Sequence, residues 1–82
     1  MNNEQKAILK SQLPSGFQII SAMEHEGLAK IRGQYDKWAI LIEWQFEDEP
    51  DTIWLETIDI AMRGRSGTVP IKDLKMNLLS LS

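Results

Sequence analysis

The residues with most chemistry in them lie between Trp38 and Met62, a segment without Lys or Arg. It holds Glu43, Glu47, Asp48, Glu49, Asp51, Glu56 and Asp59 together with every tryptophan of the chain, Trp38, Trp44 and Trp54. Carboxylates serve as acid–base pairs, as ligands for hard cations or as the anionic side of an interface, and tryptophan beside them supplies hot-spot surface. From Arg63 the sign reverses, with Arg63, Arg65, Lys72 and Lys75 against Asp73 alone. A net charge of −3 over 82 residues therefore conceals an acidic block followed by a basic tail. Asymmetry of this kind bears on partners and encounter rates rather than on fold.

Catalysis finds little support among these residues. His25 is the one histidine, between Glu24 and Glu26. Neighbours at i±1 in a strand or turn point away from residue i, so His25 reads as a solvated turn residue, not a general base. Ser66 lies between Arg65 and Gly67 but has neither a strand-to-helix elbow nor a histidine partner. With no Cys and one His, the usual zinc ligand set cannot be assembled. Glu47-Asp48-Glu49-Pro50-Asp51 supplies oxygen ligands for calcium but lacks the frame of a calcium-binding loop. Neither a catalytic residue nor a metal or cofactor is expected, and the chain is expected not to be an enzyme.

Two binding chemistries remain. Glu43, Trp44, Glu47, Asp48, Glu49, Asp51, Trp54 and Glu56 would together present carboxylates and indoles to a cationic protein, with Trp44 and Trp54 flanking the acidic turn and partly exposed. Carboxylates at strand spacing, about 6.5–7 Å on one face, also approximate the spacing of single-strand phosphates. The alternative is nucleic-acid binding through the Arg63-Gly64-Arg65-Ser66-Gly67 turn, extended by Lys30, Arg32, Lys72 and Lys75. Net negative charge weighs against it, because basic footprints usually dominate the charge of nucleic-acid-binding domains. A protein partner with a basic surface is therefore the primary expectation and nucleic acid the secondary one. Complementary charge blocks and the apolar tail Leu78, Leu79 and Leu81 also suggest a homodimer.

The elements that must position these residues follow from length and periodicity. A chain of 82 residues makes one small domain, 1–82, that buries about 60–65% of its unfolded surface. The longest apolar run, Trp38 to Ile42, is far short of the roughly 20 residues of a membrane helix. With no secretory signal and no cysteine, the expected location is cytoplasmic. Residues 1–14 read as a helix, capped by Asn2 or Asn3, presenting Ala7, Ile8 and Leu13 with Leu9 on the flank, and stopped by Pro14 and Gly16. It is expected at the edge of the domain rather than in its core.

Residues 16–82 read as an antiparallel β region. Phe17 to Met23 is a strand, Glu24-His25-Glu26-Gly27 a tight turn, and Leu28 to Arg32 a partner strand ended by Gly33. Trp38, Ile40, Ile42, Trp44 and Phe46 recur at period two, a half-buried strand whose first half Ala39 and Leu41 suggest is covered on both sides. Thr52 to Met62 follows, and its apolar residues change parity, so a β-bulge is expected near Glu56-Thr57. Val69-Pro70-Ile71 reads as an edge strand, Lys72-Asp73-Leu74 as one helical turn, and the tail as a last strand or docking segment. The class is α+β, mostly β: a short N-terminal helix and a small antiparallel sheet or SH3-like barrel of about five strands. The order from the Gly-rich turn through Val-Pro-Ile to the final strand resembles the end of SH3-like barrels, over about the last twenty residues.

Overall fold

A computed structural model describes all 82 residues. The chain forms helix α1 (Asn3–Ser11), strands β1 (Gln18–His25), β2 (Leu28–Tyr35), β3 (Trp38–Gln45), β4 (Thr52–Ile58) and β5 (Gly64–Pro70), a 3-10 turn (Ile71–Asp73) and helix α2 (Leu74–Leu79). The strands make one antiparallel meander in the order β1-β2-β3-β4-β5. Of sheet and barrel, the chain adopts the sheet, since β1 and β5 lie at opposite edges without pairing. The last barrel strand is replaced by α2, which packs across one face instead.

That covered face is built from β2, β3 and β4 by strict alternation. Ala29, Ile31, Ile40, Ile42, Trp44, Ile53 and Leu55 point into it, and Leu9, Phe46, Ile71, Leu74 and Leu78 close it. The expected bulge in β4 is absent. Alternation continues through Ile53, Leu55, Thr57 and Asp59, all buried. The apparent change of parity arises because polar residues take the inward positions at 57 and 59 while Ile58, Ile60 and Met62 are exposed. The bulge lies instead in β1, where the register with β2 shifts between Ile19 and Ser21.

Other boundaries also move. β2 runs through Gly33 to Tyr35 because Gly33 is a packing position: a Cβ there would meet the Phe17 ring at 2.5 Å. Chain reversal waits for Asp36, which takes a left-handed φ of 54°. The segment 64–67, expected as a turn, is already β5, and the turn is 59–63. The tail folds as α2 rather than as a strand. It is pinned at its end by the Trp38 indole N–H, which donates to the Leu81 carbonyl at 3.1 Å. Leu78 is fully buried, so the expected apolar dimerisation tail gives its first residue to the core.

α1 is fixed by a reciprocal cap. The Asn2 side chain accepts from the Gln5 backbone N–H at 2.8 Å, and the Gln5 side chain accepts from the Asn2 N–H at 3.0 Å. Its one buried residue is Leu9, with Ile8 and Ala7 turned outward, so the helix lies at the edge of the domain as expected and gives the core the residue placed on its flank. Neither helix reaches over β1, whose eight residues are all exposed. The other side of the sheet carries no covering element. Ala39 is exposed and Leu41 half-buried there, so the expected double coverage of β3 does not occur.

Candidate acidic interface

β3 and β4 distribute the acidic and aromatic residues over three places. Glu43, Trp54 and Glu56 lie on the open face, where Glu43 pairs in register with Trp54 and Leu41 with Glu56. Glu47, Asp48, Glu49 and Asp51 occupy the β3–β4 turn, all exposed. Trp44 is on the opposite, covered face and is 1% exposed, while Trp54 is 40% exposed. The expectation that both tryptophans flank the turn at the surface therefore holds for Trp54 and fails for Trp44. An indole is buried at low cost when its N–H finds an acceptor, and Trp44 donates to the Pro50 carbonyl at 3.2 Å.

That bond makes Trp44 the anchor of the acidic turn. The Phe46 ring meets it edge to face with centroids 6.2 Å apart. Gln5 of α1 donates to the Phe46 carbonyl at 2.9 Å, and the Glu49 N–H closes the turn onto the Gln45 carbonyl at 2.7 Å. On the far side the Ile71 N–H donates to the Asp51 carbonyl at 2.9 Å. Four carboxylates thus project from a backbone held at both ends.

The neighbouring hairpin extends this acidic end, a feature the linear sequence hides. Glu26 and Gly27 form the β1–β2 turn with φ of 49° and 79°. A Cβ at Gly27 would sit 3.2 Å from a Glu47 carboxylate oxygen, so the two turns are in contact. Glu26 therefore lies at the same end of the sheet as Glu47, Asp48, Glu49 and Asp51. Register pairing is the signal that finds it: Leu28 lies opposite Gln45, which puts both turns at one end of the sheet. His25 stands 3.6 Å from Glu26 with both side chains exposed. The left-handed turn brings the Glu26 carboxylate back toward the ring, against the expectation for i+1, but an exposed pair of this kind contributes little. These carboxylates do not converge: no group of three or more His, Asp or Glu side chains is arranged to hold a metal ion.

Asp59 behaves differently from the other acidic residues. Its Oδ1 accepts from the backbone N–H groups of Ala61 and Arg63, both at 3.0 Å, and its Oδ2 accepts from Arg63 Nε at 3.2 Å. Arg63 Nη2 is 3.0 Å from the same oxygen. The Arg63 backbone N–H, helped by the Arg63 charge and the Ala61 N–H, holds the carboxyl below its ordinary pKa, with desolvation opposing. The carboxylate is consumed in shaping its own turn.

The basic residues do not form one stripe. Lys30 and Arg32 lie on the open face of β2, Arg63 is bound to Asp59, and Arg65 pairs in register with the inward Thr57 on the helix side. Lys72 and Lys75 belong to the 3-10 turn and α2, and Lys72 follows the Ile71–Asp51 contact at the acidic end. Two shallow grooves mark the open face. One of ≈ 360 Å³ includes Leu28, Glu43, Gln45, Glu49 and Trp54. The other, of ≈ 370 Å³, includes Arg32, Leu41, Glu56, Ile58 and Met62. No helix is long and apolar enough to cross a membrane. Comparison of the chain with protein-family models, curated proteins and solved structures finds no match.

Proposed function

We propose that the protein is a small acidic interaction module that docks a basic surface of a partner protein through the end of the sheet where the β1–β2 and β3–β4 turns meet. The observation that carries this reading is the contact of those turns, which puts Glu26 at the same end of the sheet as Glu47, Asp48, Glu49 and Asp51, with Trp54 on the adjoining face. None of the four β3–β4 turn carboxylates is in an ion pair within the chain. Unpaired carboxylates at one end of the sheet give that end a negative potential, which accelerates encounter with a cationic partner. Anchoring by Trp44 keeps the ordering cost of binding low. The reading is of a binding module rather than an enzyme, acting in the cytoplasm, in keeping with the absence of cysteine.

The test compares capture from a native lysate by the wild type and by Glu47→Ser/Asp48→Ser/Glu49→Ser/Asp51→Ser, at low and high salt, with and without nuclease. A partner retained by the wild type, lost by the variant and weakened by salt is the expected result. Capture that is unchanged by the four substitutions overturns the reading. Capture that disappears with nuclease transfers the function to nucleic acid and to the basic residues Lys30, Arg32, Arg63, Arg65, Lys72 and Lys75.

A further inference from the structure

The open face of the sheet carries charges of both signs that form no ion pair within the chain. Lys30, Arg32, Glu43 and Glu56 all lie on it, and none is in an ion pair. Register places them in two rows. One row reads Met23, Lys30, Glu43, Trp54, Thr68 from β1 to β5; the next reads Ser21, Arg32, Leu41, Glu56, Ser66. Basic residues thus stand on β2, and their counterparts stand on β4, with β3 between them.

We infer that this face is self-complementary and that its occupant is a second copy of the chain, packed face to face about a two-fold axis running along β3. Such an axis preserves the row and exchanges β2 with β4. Arg32 then faces Glu56 of the second copy, and Lys30 faces the Trp54 ring of the second copy, each twice over. Leu41 meets its own equivalent at the axis. The two Glu43 side chains also approach there, each with Lys30 of its own chain in register beside it. Guanidinium–carboxylate pairs and a cation over an indole are the contacts these residue types make best when water is excluded. An axis perpendicular to the strands instead stacks each strand on its own equivalent, which brings Lys30 and Arg32 together.

The dimensions fit a weak, reversible dimer. Five strands about 4.8 Å apart with four rows of side chains give a face of roughly 500–600 Å², so two copies bury about 1,000–1,200 Å², the size of weak, reversible interfaces. The sheets would stack about 10 Å apart with strands inclined by about 30°. Because the axis runs along the strands, both acidic ends emerge at the same end of the dimer, which doubles the surface available to a cationic partner. The pairing does not depend on that partner: it concerns the face, and the proposed docking concerns the turns.

Sedimentation of the full chain over a concentration series decides it. The wild type is expected to dimerise in the micromolar range, and Arg32→Glu and Glu56→Arg to weaken dimerisation roughly 100-fold each by placing like charges in contact. An equimolar mixture of the two variants is expected to restore the dimer, because in the mixed pair both contacts between positions 32 and 56 again join opposite charges. That rescue also shows that each variant folds. A wild type that stays monomeric throughout overturns the inference, as does a mixture that fails to recover. A monomeric wild type that loses a captured protein on Arg32→Glu transfers the face to a different partner.

Discussion

The two turns that bound β4 use the same side-chain chemistry to opposite ends. At 59–63 one carboxylate, Asp59, is 5% exposed and receives two backbone N–H groups and a guanidinium. At 46–51 the carboxylates receive none of these, and the turn is held from beneath by the Trp44 indole instead. Whether a carboxylate is structural or free to recognise something depends on whether backbone donors converge on it, not on its place in an acidic run. Exposure inverts in the same way. The turn with the internalised charge presents Ile60 and Met62, 93% and 77% exposed, whereas the turn with the internalised indole presents charge.

The sharpest way to break this contrast is to remove the indole. Trp44→Ala should destabilise the fold by about 3–5 kcal/mol, whereas Trp54→Ala on the open face should cost less than about 1 kcal/mol; urea unfolding of both checks the pair. A smaller loss than that of Trp44→Ala is expected for Asp59→Asn, and it should depend on pH. The folded pKa of Asp59 is lowered, so its contribution is present above the unfolded carboxylate value of about 3.9 and fades as pH falls through the folded value. Thermal melts should therefore separate wild type and variant at pH 7 and bring them together in strong acid. An equal gap at both pH values would show that the carboxylate is not what shapes the turn.

Gly27→Ala sharpens the other side of the comparison. Its φ of 79° and the nearby Glu47 oxygen predict a cost of roughly 1–2 kcal/mol with displacement of the acidic turn. That displacement is visible as shifts in the amide spectrum at 46–51. Smallest in stability is the fourfold serine replacement at Glu47, Asp48, Glu49 and Asp51, expected within about 0.5 kcal/mol of wild type in the same urea experiment.

β3 is legible in the sequence because five large apolar residues at period two admit one reading, and the acidic turn is legible as the break between two such runs. The end of β4 is not, because apolar parity alone points away from Thr57 and Asp59, the residues that occupy the inward positions. The burial of Trp44 is equally hidden. An indole N–H needs a partner, and its acceptor, the Pro50 carbonyl, is a backbone group that residue types do not announce. α2 is obscured by length: Leu74–Leu79 is too short to establish a helical period. The joining of Glu26 to the acidic turn is a matter of register, which becomes readable only once the hairpins are aligned.

The proposed docking places recognition at the acidic end and not at the Asp59 turn. Fluorescence titration of a lysine-rich peptide at low salt tests it with three chains: wild type, the fourfold serine variant, and Ile60→Ser/Met62→Ser. Salt-sensitive binding is expected for the wild type and the Ile60/Met62 variant, and loss of binding for the serine variant. Equal binding by all three, or loss confined to the Ile60/Met62 variant, would contradict it.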